Sequence, residues 1–270
     1  MENPSMAEWS GKWALVTGAS AGIGKALAEE LARGGTNLVL TARRRDRLDE
    51  LAQQLASAHK VQTRIFVADL AESGAPDKIF HFTKEQGIEI ELLINNAGFG
   101  AYGEFPTIDP RRLTDMVQVN CSAVVHLTRL YLPEMVARGH GDVLILASTA
   151  SFQSVPYIST YAATKAFDLL LAEGLAEEMK PHGVRVCALC PGSTDSEFAE
   201  VAGQSHVAAT RVNRETAEKV ARTGLRALAA GKSYVVSGTR NYLGVLGQRL
   251  ASRRFVTRVV ARMFKPQSKP

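Results

Sequence analysis

Tyr161 and Lys165 stand four positions apart in "YAATK" with only small residues between them. On a helix that spacing puts both side chains on one face, one turn apart. An ammonium beside a phenol favours the phenolate and lowers a tyrosine pKa from its ordinary value of about 10. A phenol tuned this way can give or take a proton near neutral pH. The pair alone is weak, because Tyr and Lys at this spacing also decorate plain helix surfaces. Its meaning depends on what the rest of the chain brings to it.

A second constellation lies at the other end of the chain. "TGASAGIG", Thr17 to Gly24, has glycines spaced G-x-x-x-G-x-G at a strand-to-helix turn. Missing Cβ atoms there let backbone amides approach a pyrophosphate, and a helix N-terminus favours its negative charge. Gly18, Ser20, Gly22, Ile23 and Gly24 are thus the candidate cofactor cradle. About 20 residues after such a loop, NAD binders place an acid on the ribose 2′-hydroxyl. Here the corresponding stretch is "TARRRDR", with Arg43 at the strand end. A carboxylate would repel a 2′-phosphate, whereas a guanidinium can hold it bidentately. The expectation is NADP(H) in preference to NAD(H), with NAD(H) still able to bind; Arg44 and Arg45 read as cations solvating a helix start.

The elements that must position these residues alternate. β-branched runs, "WALVTG", "TNLVLTAR", "VQTRIFVADL", "IELLINNAG", "GDVLILAS", "GVRVCALCPG" and "SYVVSG", are separated by amphipathic stretches such as Ile23 to Arg33, Arg47 to Ala58, Pro110 to Arg138, Ala162 to Lys180 and Arg214 to Ala229. Strands this apolar are covered on both faces, which predicts a seven-stranded parallel sheet in a Rossmann-like, doubly wound α/β domain. Ligands bind beyond the carboxyl ends of such strands. Gly18, Arg43, Asp69, "NNAG", Ser148 and "PG" fall at six of those ends. The division expected is one catalytic domain over residues 1–238 and a helical extension over 239–270.

Composition agrees with an ordinary globular chain: 270 residues, 46% hydrophobic and 22% charged. The N-terminus lacks the apolar core of a signal peptide and no long apolar stretch follows, so the expectation is a cytoplasmic protein with a peripheral membrane contact as an option. Cys187 and Cys190 form C-x-x-C within a strand, where odd spacing sends the thiols to opposite faces; no metal site is expected. The net charge of +5 is asymmetric. From Lys219 onward there are 12 basic residues and no acidic one. A basic tail on an acidic body points to a local role rather than to nucleic acid.

"TGASAGIG", "DL" at 69–70, "NNAG" at 95–98, Asn120, Ser148, "YAATK" and "PG" at 191–192 occur in the order that resembles the short-chain dehydrogenases/reductases, over roughly Gly11 to Gly238. "NNAGFG", "AST", "YAATKAF" and "CPGSTDSEF" look most like a bacterial subgroup of uncertain substrates. The resemblance implies NAD(P)-dependent interconversion of a carbonyl and an alcohol. By it, Tyr161 resembles the proton donor or acceptor. Lys165 looks like the residue that lowers its pKa and binds nicotinamide-ribose hydroxyls. Ser148 resembles the hydroxyl that bonds the substrate oxygen, and Asn120 the residue ordering a water-linked proton relay. It further implies cofactor contacts from Asp69, Leu70, Asn96, Ala97, Gly98, Pro191, Gly192 and either Thr194 or Ser196, with Asn95 supporting the sheet. Read without the resemblance, Ser148 is a turn cap and Asn120 a helix residue satisfying backbone groups.

Phe99, Tyr102, Phe105, Phe152, Val155, Pro156 and Tyr157 gather near these strand ends, with no Arg or Lys obviously among them; they read either as loop core or as the lining of a pocket for an apolar carbonyl substrate, lipid-, steroid- or acyl-like, the latter being the expectation. In "RRFVTRVVARMFK" apolar residues recur at helical spacing beside an Arg254, Arg258, Arg262 stripe. Such a helix can lie on an anionic membrane or pack on protein, the latter being the stronger expectation. A homodimer through Pro110 to Arg138 and Ala162 to Lys180 is expected. Two other readings use the same fold: a cofactor-binding regulator without turnover and a membrane-docked scaffold.

Overall fold

The computed structural model describes residues 7–204 and 214–266. Seven parallel strands form one sheet in the order β3-β2-β1-β4-β5-β6-β7. They are β1 (Trp13–Thr17), β2 (Asn37–Ala42), β3 (Thr63–Val67), β4 (Ile90–Asn95), β5 (Gly141–Leu146), β6 (Val184–Cys190) and β7 (Tyr234–Val236). The helices are α1 (Gly22–Arg33), α2 (Arg45–His59), α3 (Ala75–Glu85), α4 (Pro110–Val117), α5 (Ala123–Arg138), α6 (Ser159–Met179), α7 (Phe198–Val201), α8 (Ala217–Ala229), α9 (Thr239–Gln248) and α10 (Arg253–Phe264).

Each strand feeds both faces because successive side chains point to opposite sides. Ala14 and Val16 of β1, Leu92 and Ile94 of β4 and Leu144 of β5 join a core against α1, α2 and α8. Leu15, Leu93, Val143 and Ile145 join the other, against α3, α5 and α6. Cys187 and Cys190 divide between the two cores in the same way, as their odd spacing predicts.

Chain direction reverses its march across the sheet at β1, which pairs with both β2 and β4. The loops leaving β1 and β4 therefore part from one another and open a crevice at the carboxyl edge.

Two local predictions need correction, and one helix lies outside them. The stretch Pro110 to Arg138 is not one regular helix: α4 and α5 are joined by a π-turn over Gln118–Ser122. Helix α8 starts at Ala217, where Thr216 accepts a capping bond from Lys219 N, so Arg214 and the two residues after it precede it. Helix α3 crosses between β3 and β4 in a segment not singled out from the sequence; Pro76 sits in its first turn, where a missing N–H costs nothing. Among the described residues no helix is long and apolar enough to cross a membrane.

Candidate active site

At the carboxyl edge lies a cavity of about 910 Å³ that runs from the glycine loop after β1 to Tyr161 and Lys165 on α6. At the glycine end, Gly18 has φ +66 and Gly24 packs against it: a Cβ on Gly24 would stand 2.3 Å from Gly18 O and 2.3 Å from Asn96 Nδ2. Any larger residue would push the turn apart. Asn96 locks the same turn by donating through Nδ2 to Thr17 O at 2.8 Å. Ser20, Gly22, Ile23, Leu70, Ala97, Gly98, Pro191, Gly192, Thr194 and Ser196 all line the cavity. A dinucleotide fits this cradle: bare backbone at a helix start, open to a long crevice that ends at a phenol and an ammonium.

Arg43 and Asp69 line the cavity where β2 and β3 end, with 3.8 Å between Arg43 Nη1 and Asp69 Oδ2. Asp69 Oδ1 also accepts from Ala71 N at 3.0 Å, holding the turn after β3. Arg44 departs from its expected solvated role. Its guanidinium donates to Ser20 Oγ at 3.1 Å and to Glu197 at 2.8 Å, bridging the glycine loop to the segment after β6. Arg45 pairs with Asp49 on α2 and stays solvated as expected.

At the other end, α6 puts Tyr161, Thr164, Lys165 and Asp168 on one face. Lys165 is buried, and its Nζ donates to Leu146 O at 2.6 Å and to Asp168 Oδ2 at 2.9 Å. Burial by itself would lower the ammonium's pKa; the charges of Asp168 and Tyr161 outweigh it and raise it. Burial pushes the Tyr161 phenol up, Lys165 and a hydrogen bond with Ser148 pull it down, and the net direction is up. The predicted net lowering is therefore corrected. The cation acts in the expected sense, but desolvation exceeds it and Asp168 opposes it.

Ser148 has both characters read from the sequence: it faces the cavity, and its Oγ accepts from Ala150 N at 3.1 Å, capping the turn Thr149–Phe152. Asn120 sits fully buried in the π-turn. Its Oδ1 accepts from Phe99 N at 3.1 Å, and its Nδ2 donates to Phe99 O at 3.1 Å and Thr164 Oγ1 at 3.0 Å. It thereby ties the loop after β4 to α6. Asn95, at the end of β4, donates to Thr128 Oγ1 on α5 at 3.0 Å and ties the strand to that helix.

The predicted aromatic lining is partly replaced. Phe99 and Val155 line the cavity, but Tyr102, Phe105, Phe152, Pro156 and Tyr157 do not. Phe105 is 63% exposed, and Phe152 packs on Tyr234. In their place stand Ile158, Phe198 and, from α10, Val260, Met263 and Phe264. The tail thus packs on the body of its own chain. Val260 and Phe264 are buried with Ala150, Val155, Ile158 and Ala162, and Tyr102 Oη donates to Phe264 O at 2.8 Å. Nor is the cavity free of cations: Arg111, Arg112 and Arg214 border it. Arg112 lies 5.3 Å from the Phe99 ring centroid and donates to Gly100 O at 3.1 Å.

Sequence reasoning therefore missed Arg44, Thr164, Asp168 and the α10 wall. Thr164 and Asp168 carry a local signal, standing three residues after Tyr161 and Lys165 on the same helix face; Arg44 and the α10 wall meet the site through contacts distant along the chain.

Comparison with known proteins bears on what this cavity does. The chain is 38% identical over 196 residues to a very-long-chain 3-oxoacyl-CoA reductase from Danio rerio, covering 71% of this chain and 62% of that protein. It is 36% identical over 196 residues to the very-long-chain 3-oxoacyl-CoA reductase of Homo sapiens, with the same coverage. The chain thus spans about three-fifths of the length of these curated relatives. Among solved structures, a short-chain dehydrogenase from Sphingobium yanoikuyae in complex with NADPH superposes with TM-score 0.81 at 28% identity, covering 96% of this chain and 98% of that one. A 7β-hydroxysteroid dehydrogenase superposes with TM-score 0.84 at 25% identity, covering 95% and 99%. The family described as short chain dehydrogenase matches residues 12–207. With that match over most of its length, and with the glycine cradle and the Ser148, Tyr161, Lys165 cluster at the two ends of one crevice, the chain belongs to the short chain dehydrogenase family.

Proposed function

We propose that the protein reduces an apolar ketone or aldehyde to an alcohol with NADPH, and catalyses the reverse reaction with NADP⁺. The observation that carries the reading is the single cavity joining the glycine cradle, the Ser148–Tyr161–Lys165 cluster and the apolar wall of α10. The nicotinamide, when bound, supplies or accepts the hydride. The chain supplies the rest. Gly18, Gly22 and Gly24 would seat the diphosphate, Asp69 and Leu70 would flank the adenine, and Arg43 would face the 2′-phosphate. Ser148 holds the carbonyl oxygen, Tyr161 delivers the proton to it, and Lys165 holds the ribose. Asn120 fixes the loop carrying Phe99 against α6 and so keeps the two halves in register, while Thr194 or Ser196 meets the carboxamide.

The apolar wall, together with relatives that act on long-chain 3-oxoacyl thioesters, supports a substrate of that class. A chain-length series of 3-oxoacyl-CoA thioesters, set against short hydrophilic ketones and sugars, tests this by NADPH oxidation. We expect kcat/KM to rise with chain length, and Tyr161→Phe to lose about 10²- to 10⁴-fold, the usual size of general acid–base assistance. Turnover confined to small sugars overturns the substrate class, and undiminished turnover by Tyr161→Phe overturns the chemistry. A turnover-free regulator needs no acid with its cation, and the retained cluster favours the enzyme.

Two surface assignments accompany this reading. The exposed apolar side chains Val117, Val125, Phe167 and Leu170 on α4, α5 and α6 support a homodimer through those helices. On α10 one apolar stripe is buried, whereas Phe255, Val259 and Met263 are exposed beside Arg254, Arg258 and Arg262. Among the described residues none of these arginines is in an ion pair. Uncompensated cations flanking exposed apolar groups complement an anionic lipid surface. Met263 also lines the cavity, so a bilayer on this stripe would meet the mouth of the site.

A further inference from the structure

Asp168 has no place in the scheme above, yet it is one of the most enclosed charged residues of the chain. It is 0% exposed, one turn after Lys165, and its Oδ2 accepts from Lys165 Nζ at 2.9 Å. Among the described residues, its other oxygen, Oδ1, is buried with no hydrogen-bond partner. A carboxylate left half-satisfied in the interior is costly. A helix needing only to pack would put an apolar residue there, as Leu169 and Ala172 do nearby. The ammonium has another anchor in Leu146 O at 2.6 Å, so Asp168 is not required merely to satisfy it. What the carboxylate changes is charge: it stands beside the one cation that acts on the Tyr161 phenol.

We propose that Asp168 is a positioning residue that offsets part of the Lys165 charge within a buried pair and so adds to the burial that favours the protonated Tyr161 phenol, biasing the site toward reduction. In that direction a hydride passes to the carbonyl carbon, the Tyr161 proton passes to its oxygen, and NADPH leaves as NADP⁺. The opposite direction needs Tyr161 as phenolate, which an unneutralised ammonium would favour. This inference rests on the reductase reading for its consequence, while the charge relation it asserts is measurable without turnover.

Other ionisable groups facing the pair are few. Cys121 approaches from the π-turn, with its Sγ 3.9 Å from Thr164 O, and Cys190 closes the end of β6. Burial raises both thiols, Cys121 to about 11, so both are neutral in the range of interest. Glu173 acts on Cys190 from farther along α6. Burial pushes the Asp168 carboxyl up to about 6 against the pull of Lys165. Below that pH the carboxylate takes a proton and the ammonium is released to act on Tyr161.

The test is a tyrosinate absorbance titration of the full chain, each protein read as a difference against the same protein carrying Tyr161→Phe. In Asp168→Asn the Tyr161 midpoint should fall by about one pH unit or more, as expected when an opposing charge is removed. Asp168→Glu, which keeps the charge, should restore the wild-type midpoint. In the pH profile of alcohol oxidation, the acid limb of Asp168→Asn should move down with it, and any inflection near pH 6 should vanish. An unchanged midpoint in a folded Asp168→Asn protein overturns the proposal, leaving Asp168 a packing residue. A raised midpoint also overturns it, since Lys165 would then have lost its proton along with its partner.

Should Asp168→Asn fail to fold, the double variant Lys165→Met/Asp168→Leu replaces the pair with apolar groups, a change often tolerated. Its Tyr161 midpoint should lie below that of Lys165→Met alone, in which the Asp168 charge is left to act on the phenol without its partner. Equal midpoints in the two variants show that the Asp168 charge does not reach the phenol and end the idea. If the wild type turns over no carbonyl at all, the reductase reading fails, and the titration still decides the role of Asp168.

Discussion

Arginine neighbours with one sequence signal carry different geometry. Arg43 faces the cavity, 68% exposed and only loosely paired with Asp69, which leaves its guanidinium available to a phosphate. Arg44 is held in place by Ser20 and Glu197. The pair predicts a separation of effects. Arg43→Asp should lower the preference for NADPH over NADH by about 10²-fold, as loss of a charge-assisted contact and introduction of a repulsive one imply. Arg44→Ala should weaken both cofactors, because it unties the glycine loop from the segment after β6. Titration of each variant with both cofactors checks this, and an unchanged ratio in Arg43→Asp removes that residue from the 2′-phosphate site. Asn120 belongs to the same scale. Every polar atom of its side chain is engaged with Phe99 or Thr164, so its contribution is first to hold two elements together.

Two elements do what regular periodicity does not announce. The π-turn Gln118–Ser122 admits an extra residue into an otherwise helical run, and Asn120 is at its centre; such turns gather at functional sites. Helix α10 is built from adjacent i, i+4 stripes: Val256, Val260 and Phe264 inward, Phe255, Val259 and Met263 outward, then the arginines. One face therefore closes the cavity while its neighbour remains available. The full chain should co-sediment with phosphatidylglycerol vesicles and much less with phosphatidylcholine vesicles, with binding lost at high salt. Each arginine replaced by glutamate among Arg254 and Arg258 should lower the partition by at least about fivefold. Equal sedimentation with both lipids, or a Phe255→Ser variant that binds as wild type does, dismisses the membrane assignment.

For the molecule as a whole, the sheet has two unlike edges. At the amino edge, Asp142 of β5 is buried and bonded by Trp9 Nε1 at 2.7 Å and by Arg185 at 2.6 and 2.8 Å, with Glu8 joining Arg185. That network ties the chain's start to two strands and faces away from the chemistry. The carboxyl edge has glycines, a strained Tyr157 at φ +68 and an open crevice. A homodimer through α4, α5 and α6 would cover their exposed apolar side chains and leave the crevice free. Leu170 is 69% exposed, so Leu170→Glu should leave the fold intact while halving the mass seen by light scattering. A wild-type protein already monomeric at high concentration would reject that interface.

Local residue chemistry was enough to predict the sheet and both ends of the site. Apolar strands alternating with amphipathic helices specify a parallel sheet covered on both faces, and a glycine-rich turn needs no distant partner to read as an anion cradle. Tyr161 and Lys165 share a face by helix geometry alone. The net direction of the Tyr161 pKa was beyond reach, because it depends on how far folding removes the phenol from water and on the charge of Asp168 next to its cation. The apolar wall of the cavity was likewise undecided until α10 folded back onto residues about a hundred positions earlier in the chain. A helical stripe read from sequence states that a face is apolar; which surface it covers is settled by the partner that loses most water in meeting it.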